Sequence, residues 1–177
     1  MLDPFGFGVT GYDKHKADFQ PLPSDLHGLR VAVTGANSGL GFATASKLAN
    51  LGAKVYILCR DQGRGEAARD KMGGDVTLLR VDMADYRSIM ELQMPEVDVL
   101  IHNAGAMFDK RSQAEGWPNG PIDATFALHV AGPYLLSQRV KTKETIWVSS
   151  GGMYSQKLNV ASLLSPPEPF DGMVAYA

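Results

Sequence analysis

The sequence predicts an α/β fold: a doubly wound parallel sheet with helices on both faces. Three observations carry that prediction. Short apolar runs recur along the chain, segments of helical period separate them, and the first run leads into a glycine-rich turn. Strands alternating with helices at this spacing form βαβ units joined by right-handed crossovers.

The elements follow in order. Residues 1–27 are rich in Gly, Pro, aromatic and charged residues and show no sustained period. They read as an N-terminal extension, either docked through Phe5, Phe7, Tyr12 and Phe19 or loosely ordered. Residues 28–177 then form the α/β domain. "LRVAVT" (29–34) suits a buried strand, and "LGFATASKLANLG" (40–52) a helix stopped near Gly52. "KVYILC" (54–59) is the second strand, "GRGEAARDKMGG" (63–74) a helix closed by a glycine pair, and "VTLLRVD" (76–82) the third strand. "YRSIMELQ" (86–93) is a short helix ahead of Pro95, and "VDVLIHNAG" (97–105) a fourth strand with a polar end. "DATFALHVAGPYLLSQ" (123–138) has helical period, although Pro133 lies inside it. "ETIWVSS" (144–150) is the fifth strand.

Composition narrows the function classes. The chain has 177 residues, 45% hydrophobic and 20% charged, with a formal net charge of −2. That balance is ordinary for a soluble globular domain and lacks the basic face that nucleic acid requires. The single cysteine, Cys59, forms no internal disulfide, which fits a reducing compartment. No stretch has the length and apolarity of a membrane helix, and no signal-peptide pattern opens the chain. A cytoplasmic location is the expectation. No metal site is assigned.

The chemistry begins at "TGANSGLG" (34–41), between the first strand and the first helix. Gly35 permits a tight turn, Gly39 lets backbone approach a pyrophosphate, and Gly41 lets helix and strand pack closely. Backbone N–H groups and the helix dipole then face the phosphates. Alone this turn does not decide, because such turns also occur without a nucleotide.

The spacing Gly-x3-Gly-x-Gly resembles that of the short-chain dehydrogenase/reductase family, and three later stretches match it in order. "VDMAD" (81–85) resembles the family's Asp-containing turn, which implies Asp82 near the adenine amino group with Met83 beside it. "HNAG" (102–105) resembles the segment lining the adenosine side, here Asn103, Ala104 and Gly105. "VSSGG" (148–152) ends the fifth strand where the family keeps its catalytic serine, implying Ser150. Asn37, Ser38 and Leu40 complete the cofactor-facing loop. The run is similar to the retinol-dehydrogenase-like branch. The resemblance implies a Rossmann-type sheet in the order 3-2-1-4-5, without the family's last strands, so the fifth strand becomes an open edge.

Cofactor choice is read after the second strand. A cofactor without a 2′-phosphate is usually held there by an acid, whereas this chain has Cys59 and then Arg60. A guanidinium binds the 2′-phosphate that a carboxylate repels, so NADP(H) is favoured over NAD(H). The alternative leaves Arg60 capping the strand in solvent, with Asp61 partly neutralising it.

The family motif Tyr-x3-Lys puts an ammonium one helical turn from a phenol. "YDKHK" (12–16) precedes the cofactor loop, and Tyr154 has Leu158 at the fourth position on. Tyr176 remains, opening a helix in "DGMVAYA" (171–177), and it is either the base or a packing tyrosine. The implied reaction interconverts an alcohol and a carbonyl, with Ser150 hydrogen-bonding the substrate oxygen and Tyr176 exchanging its proton. The small-molecule substrate of this branch is lipophilic, and the full-length form is a candidate homo-oligomer.

Three departures qualify the resemblance. The lysine is absent, so the chain is expected to be a C-terminally truncated form, inactive as given. His129 stands where the family has a helix asparagine, either as a relay or as a packing histidine. Only 137–143 separate "YLL" from "ETIWVSS", a shortening that threatens a helix of the core and dimer interface. A non-catalytic dinucleotide-binding module is the competing reading. A methyltransferase on a similar sheet is disfavoured by Arg60.

Overall fold

The computed structural model describes residues 9–21, 23–164 and 168–177. The first two strands carry unbroken apolar runs because both of their faces are covered. In β1 (Arg30–Thr34) and β2 (Lys54–Cys59) every residue after the first is buried. They pair in parallel from Arg30↔Lys54 to Thr34↔Leu58. β3 (Asp75–Arg80) and β4 (Val97–His102) flank them, and β5 (Thr142–Trp147) follows β4. The sheet order is β3-β2-β1-β4-β5, as the sequence predicts. A two-residue antiparallel pair, Gln113–Ala114 with Ile122–Asp123, lies outside it.

Alternation along the strands builds two cores. Val31, Val33, Val55 and Ile57 pack with Ala45 and Ala49 of α2 (Gly39–Asn50) and with Ala68 and Met72 of α3 (Gln62–Met72). Ala32, Leu58 and Leu100 pack on the other face with Ile89 of α4 (Tyr86–Glu91) and Leu136. Asp98 ties the strand starts together. It accepts from Lys143 Nζ and from the Arg30 backbone N–H, each at 2.8 Å. Those partners hold its carboxyl well below the usual carboxylate range.

The predicted helix over 123–138 is not one α-helix. It comprises α5 (Ala124–Phe126), a π-helical turn (Ala127–Ala131) and α6 (Gly132–Arg139). Pro133 explains the break: it has no N–H to donate, and its ring crowds the carbonyl one turn back. The chain widens into a π turn, and Pro133 sits in the first turn of α6, where a missing donor costs least. The short connection does not remove this helix, since α6 passes almost directly into β5 and Leu136 is fully buried.

β5 starts earlier and ends earlier than the sequence suggests. Val148 N–H still donates to His102 O at 2.9 Å, after which the chain turns at Ser150 into a 3-10 turn (Gly151–Tyr154) and then a short helix, α7 (Val160–Leu164). Among the described residues β5 pairs only with β4, so its outer edge is open, and Trp147 is 50% exposed. Near the N-terminus, α1 (Val9–His15) carries Tyr12, which stacks on Phe19 at 5.9 Å. Both rings are exposed, so neither docks as the first alternative expected. Phe5 and Phe7 lie outside the described residues. Leu26 does join the core, and its N–H donates to Leu51 O at 2.7 Å.

His102 gives the fold an acid sensitivity. It is 4% exposed, meets the Trp147 ring at a tilt with centroids 4.3 Å apart, and has Nε2 2.7 Å from Ser137 Oγ, while buried Nδ1 has no partner among the described residues. Burial pushes its pKa down to about 4 from 6.5, so it is neutral in the folded chain. The unfolded chain takes up the proton first. Stability is therefore complete above the unfolded value and is lost as pH falls from there towards the folded value. Between about pH 7 and about pH 5 the loss should be about 2 kcal/mol. Urea unfolding at both pH values should show it, and His102→Asn should flatten the dependence. An equally steep dependence in the variant would exclude His102 as the cause.

Candidate active site

The carboxyl ends of β1 and β4 are locked together before any side chain reaches outward. Thr34 Oγ1 accepts from the backbone N–H groups of Asn103 (3.0 Å) and Ala104 (2.9 Å). Asn103 Nδ2 donates back to Thr34 O at 3.0 Å. Two glycines allow this approach. Gly35 has φ +66°, and a Cβ there would sit 2.7 Å from Ala104 Cα. A Cβ on Gly41 would sit 2.6 Å from Gly35 O and would also collide with the Asn103 amide. Asn103 is thus a brace as well as a wall. Thr34 was missed in the sequence, although a polar β-branched residue closing an apolar strand beside Gly35 was a usable signal.

The braced loops border a cleft of about 550 Å³. Every residue that the sequence assigns to the cofactor lines it: Gly35, Asn37, Ser38, Gly39, Leu40 and Gly41 from the loop, then Arg60, Asp82, Met83, Asn103, Ala104 and Gly105. The first turn of α2 opens onto it. Ser38 caps that helix without a side-chain hydrogen bond, and a Cβ on Gly39 would meet nothing within 4 Å. The site therefore offers backbone donors and free space, as an anionic group requires. A larger open cleft of about 670 Å³ lies at the other end of the sheet, beside Lys54 and Asp75, and holds none of these groups.

The fold sorts the groups around Arg60, and it changes the sequence reading at Asp61. Cys59 is turned into the core, and burial pushes its thiol up to about 11. Asp61 does not neutralise Arg60, because its carboxylate caps α3 by accepting from Arg64 N–H at 2.8 Å. Arg60 instead lies 3.9 Å from Asp82 Oδ2, while Asp82 Oδ1 accepts from Ala84 N–H at 2.9 Å. With the Arg60 side chain 75% exposed, this is a loose pair that leaves the guanidinium available. Arg64 also lines the cleft and went unnoticed in the sequence. Its place in the first turn of α3, four residues after Arg60, was the signal.

The remaining predicted residues gather beside the cleft rather than in its lining. Ser150 Oγ accepts from Gly152 N–H at 3.1 Å. A Cβ on Gly152 would lie 3.4 Å from Ser150 Oγ and 3.5 Å from Ala177 Cβ, so Ser150 and the end of α8 (Gly172–Tyr176) converge there. Asp171 starts α8 by accepting from Met173 and Val174 N–H groups, and Gly172 packs directly on Phe108 O, beside the cleft. Tyr176 meets the His129 ring edge to face, with centroids 5.2 Å apart. His129 itself is not loose. Nδ1 donates to Thr125 O at 2.8 Å, and Nε2 accepts from Ala106 N–H at 3.1 Å. The Ala106 bond requires the neutral ring, and burial lowers its pKa in the same direction, against the raising effect of the Thr125 bond.

The short chain dehydrogenase family profile matches residues 30–177. The chain belongs to that family. This short-chain dehydrogenase is 36% identical to human dehydrogenase/reductase SDR family member 12, over 95% of its own length and 58% of the relative's. It is 35% identical to mouse retinol dehydrogenase 14, covering 65% of this chain and 40% of the relative. The resemblance to the retinol-dehydrogenase-like branch is thereby borne out. A Mycobacterium paratuberculosis protein of uncharacterised function superposes with a TM-score of 0.75 at 29% identity, over 86% of this chain and 57% of that one. A metagenomic short-chain oxidoreductase in complex with NADP superposes at 0.58 and 28% identity, covering 72% and 65%. The chain thus spans just over half of the relatives it matches most fully. No helix among the described residues is long and apolar enough to cross a membrane.

Proposed function

We propose that this short-chain dehydrogenase takes NADP(H) in preference to NAD(H) and interconverts an alcohol and a carbonyl. The observation that carries the cofactor choice is the pair Arg60 and Arg64 on the cleft wall, with Asp61 committed to capping α3. Two guanidiniums favour a 2′-phosphate, and the carboxylate that follows β2, Asp61, has Oδ1 engaged in capping α3. The NADP-bound relative supports the same direction. When bound, the dinucleotide supplies or accepts the hydride. The α2 amides and Ser38 hold its phosphates, Ser150 hydrogen-bonds the substrate oxygen, and Tyr176 exchanges the substrate proton. A lipophilic substrate suits the exposed Met107, Met153 and Met173 near this end of the sheet and the kinship with a retinol dehydrogenase. We take the protein to be cytoplasmic and self-associating.

Fluorescence titration with NADPH and NADH tests the reading, and NADPH should bind at least tenfold more tightly. Equal affinities would overturn it. The second reading, a dinucleotide-binding module without chemistry, is favoured by the position of Ser150 and Tyr176 outside the cleft lining. Carbonyl reduction by a version extended through the remaining length of its relatives would exclude it.

A further inference from the structure

We infer that His129 is a positioning residue that couples the cofactor-side wall at Gly105 and Ala106 to the ring of Tyr176. This goes beyond the proposed reaction, because it assigns His129 neither a proton to carry nor a substrate to touch. Local structure makes the coupling possible. His129 lies at the middle of the π turn Ala127–Ala131, and its neighbour in that turn, Leu128, lines the cleft. Wide turns of this kind often sit at functional sites because they redirect a side chain without ending the helix.

The imidazole then spans three elements. Through Nδ1–H it is anchored on Thr125 O, on its own helix, at 2.8 Å. Its Nε2 receives the Ala106 N–H at 3.1 Å, from the loop after β4. Its ring meets Tyr176 on α8. Glycine at 105 eases the approach of the loop: a Cβ there would lie 3.2 Å from His129 Nε2, a contact tight enough that the ring would have to give slightly. An asparagine has no ring to meet Tyr176 while holding the Ala106 amide. Fixing the ring by two hydrogen bonds fixes the wall and the tyrosine relative to one another.

Three measurements on the 177-residue chain test this. Long-range ¹H–¹⁵N NMR of the His129 ring should show a neutral imidazole protonated at Nδ1, and protonation at Nε2 would overturn the inference. Tyr176→Leu should shift the His129 ring resonances, and unmoved resonances would remove the coupling to α8. His129→Phe keeps a ring beside Tyr176 but loses the acceptor. Ala106 amide exchange should then quicken by about tenfold and NADPH affinity fall by about as much, the loss expected for one hydrogen bond. His129→Gln, which restores an acceptor, should recover part of both. A packing role alone predicts unchanged exchange in the Phe variant, and that result would sink the idea. Should His129→Phe not fold, the tautomer and the Gln variant still decide. A parent chain that binds no NADPH would defeat the proposed function, whereas the tautomer and the exchange rate would still judge His129.

Discussion

Arg60→Asp should reverse the cofactor preference, lowering NADPH affinity by about a hundredfold while NADH affinity holds or rises. The magnitude follows from two effects of one sign. Hydrogen bonds to a charged group contribute about 1.5–3 kcal/mol each, and removing the guanidinium forfeits them. The new carboxylate then repels the 2′-phosphate and offers ribose hydroxyls an acceptor. Asp82 sharpens the effect: its Oδ2, now 3.9 Å from the Arg60 guanidinium, would face a second negative charge. Arg60→Ala should give a smaller loss, because it removes attraction without adding repulsion. Arg64→Ala should also weaken NADPH binding, since that residue lines the same wall. Paired fluorescence titrations would report the ratio of affinities. A ratio unchanged in Arg60→Asp would show that Arg60 caps the strand in solvent and touches no cofactor.

Gly41→Ala should cost about 3 kcal/mol of stability and abolish dinucleotide binding. Overpacking a core usually costs about 1–3 kcal/mol, and here the obstacles are mostly backbone. The added methyl would press on Gly35 O at 2.6 Å and on Ala36 Cα at 3.1 Å, neither able to rotate away. It would also displace the Asn103 amide from Thr34 O, undoing the brace between β1 and β4. Gly63→Ala is the control. In α3 its Cβ would meet only Asp61 Oδ1 at 3.7 Å, an ordinary contact, and alanine favours the helix by up to about 1 kcal/mol. Urea midpoints and NADPH titration on both variants would separate the two cases. A Gly41→Ala protein with parental stability and affinity would mean that the loops relax apart at little cost.

Most of the sheet was legible in the sequence because burial on two faces leaves a mark that needs no partner to interpret. The run from Val55 to Cys59 is apolar without alternation, and its shortness, its β-branched and aromatic residues and the Gly52 before it mark it as a strand covered on both sides. The limits of β5 were less legible, since an edge strand is half exposed and its pattern mixes Lys143, Glu144 and Thr145 with Ile146 and Trp147. The π turn was hidden for another reason. Helical period over 123–138 signals a helix, and Pro133 signals a fault in it, but how a chain absorbs such a fault depends on packing around it.

By itself the sequence determined the strand order's ingredients, the family, and twelve residues that line the cleft, through the glycine spacing, the strand ends and the family resemblance, but neither Arg64 nor the Thr34 brace. Only the tertiary structure decided which charges in that cleft are free. Asp61 and Asp82 look equivalent as letters, yet one caps α3 and the other pairs loosely with Arg60. Likewise, a histidine at position 129 can donate or accept at either nitrogen until Thr125 O and Ala106 N–H fix its proton. Hydrogen bonds between residues distant in the chain depend on where the backbone brings donors and acceptors together, and no local pattern records that position.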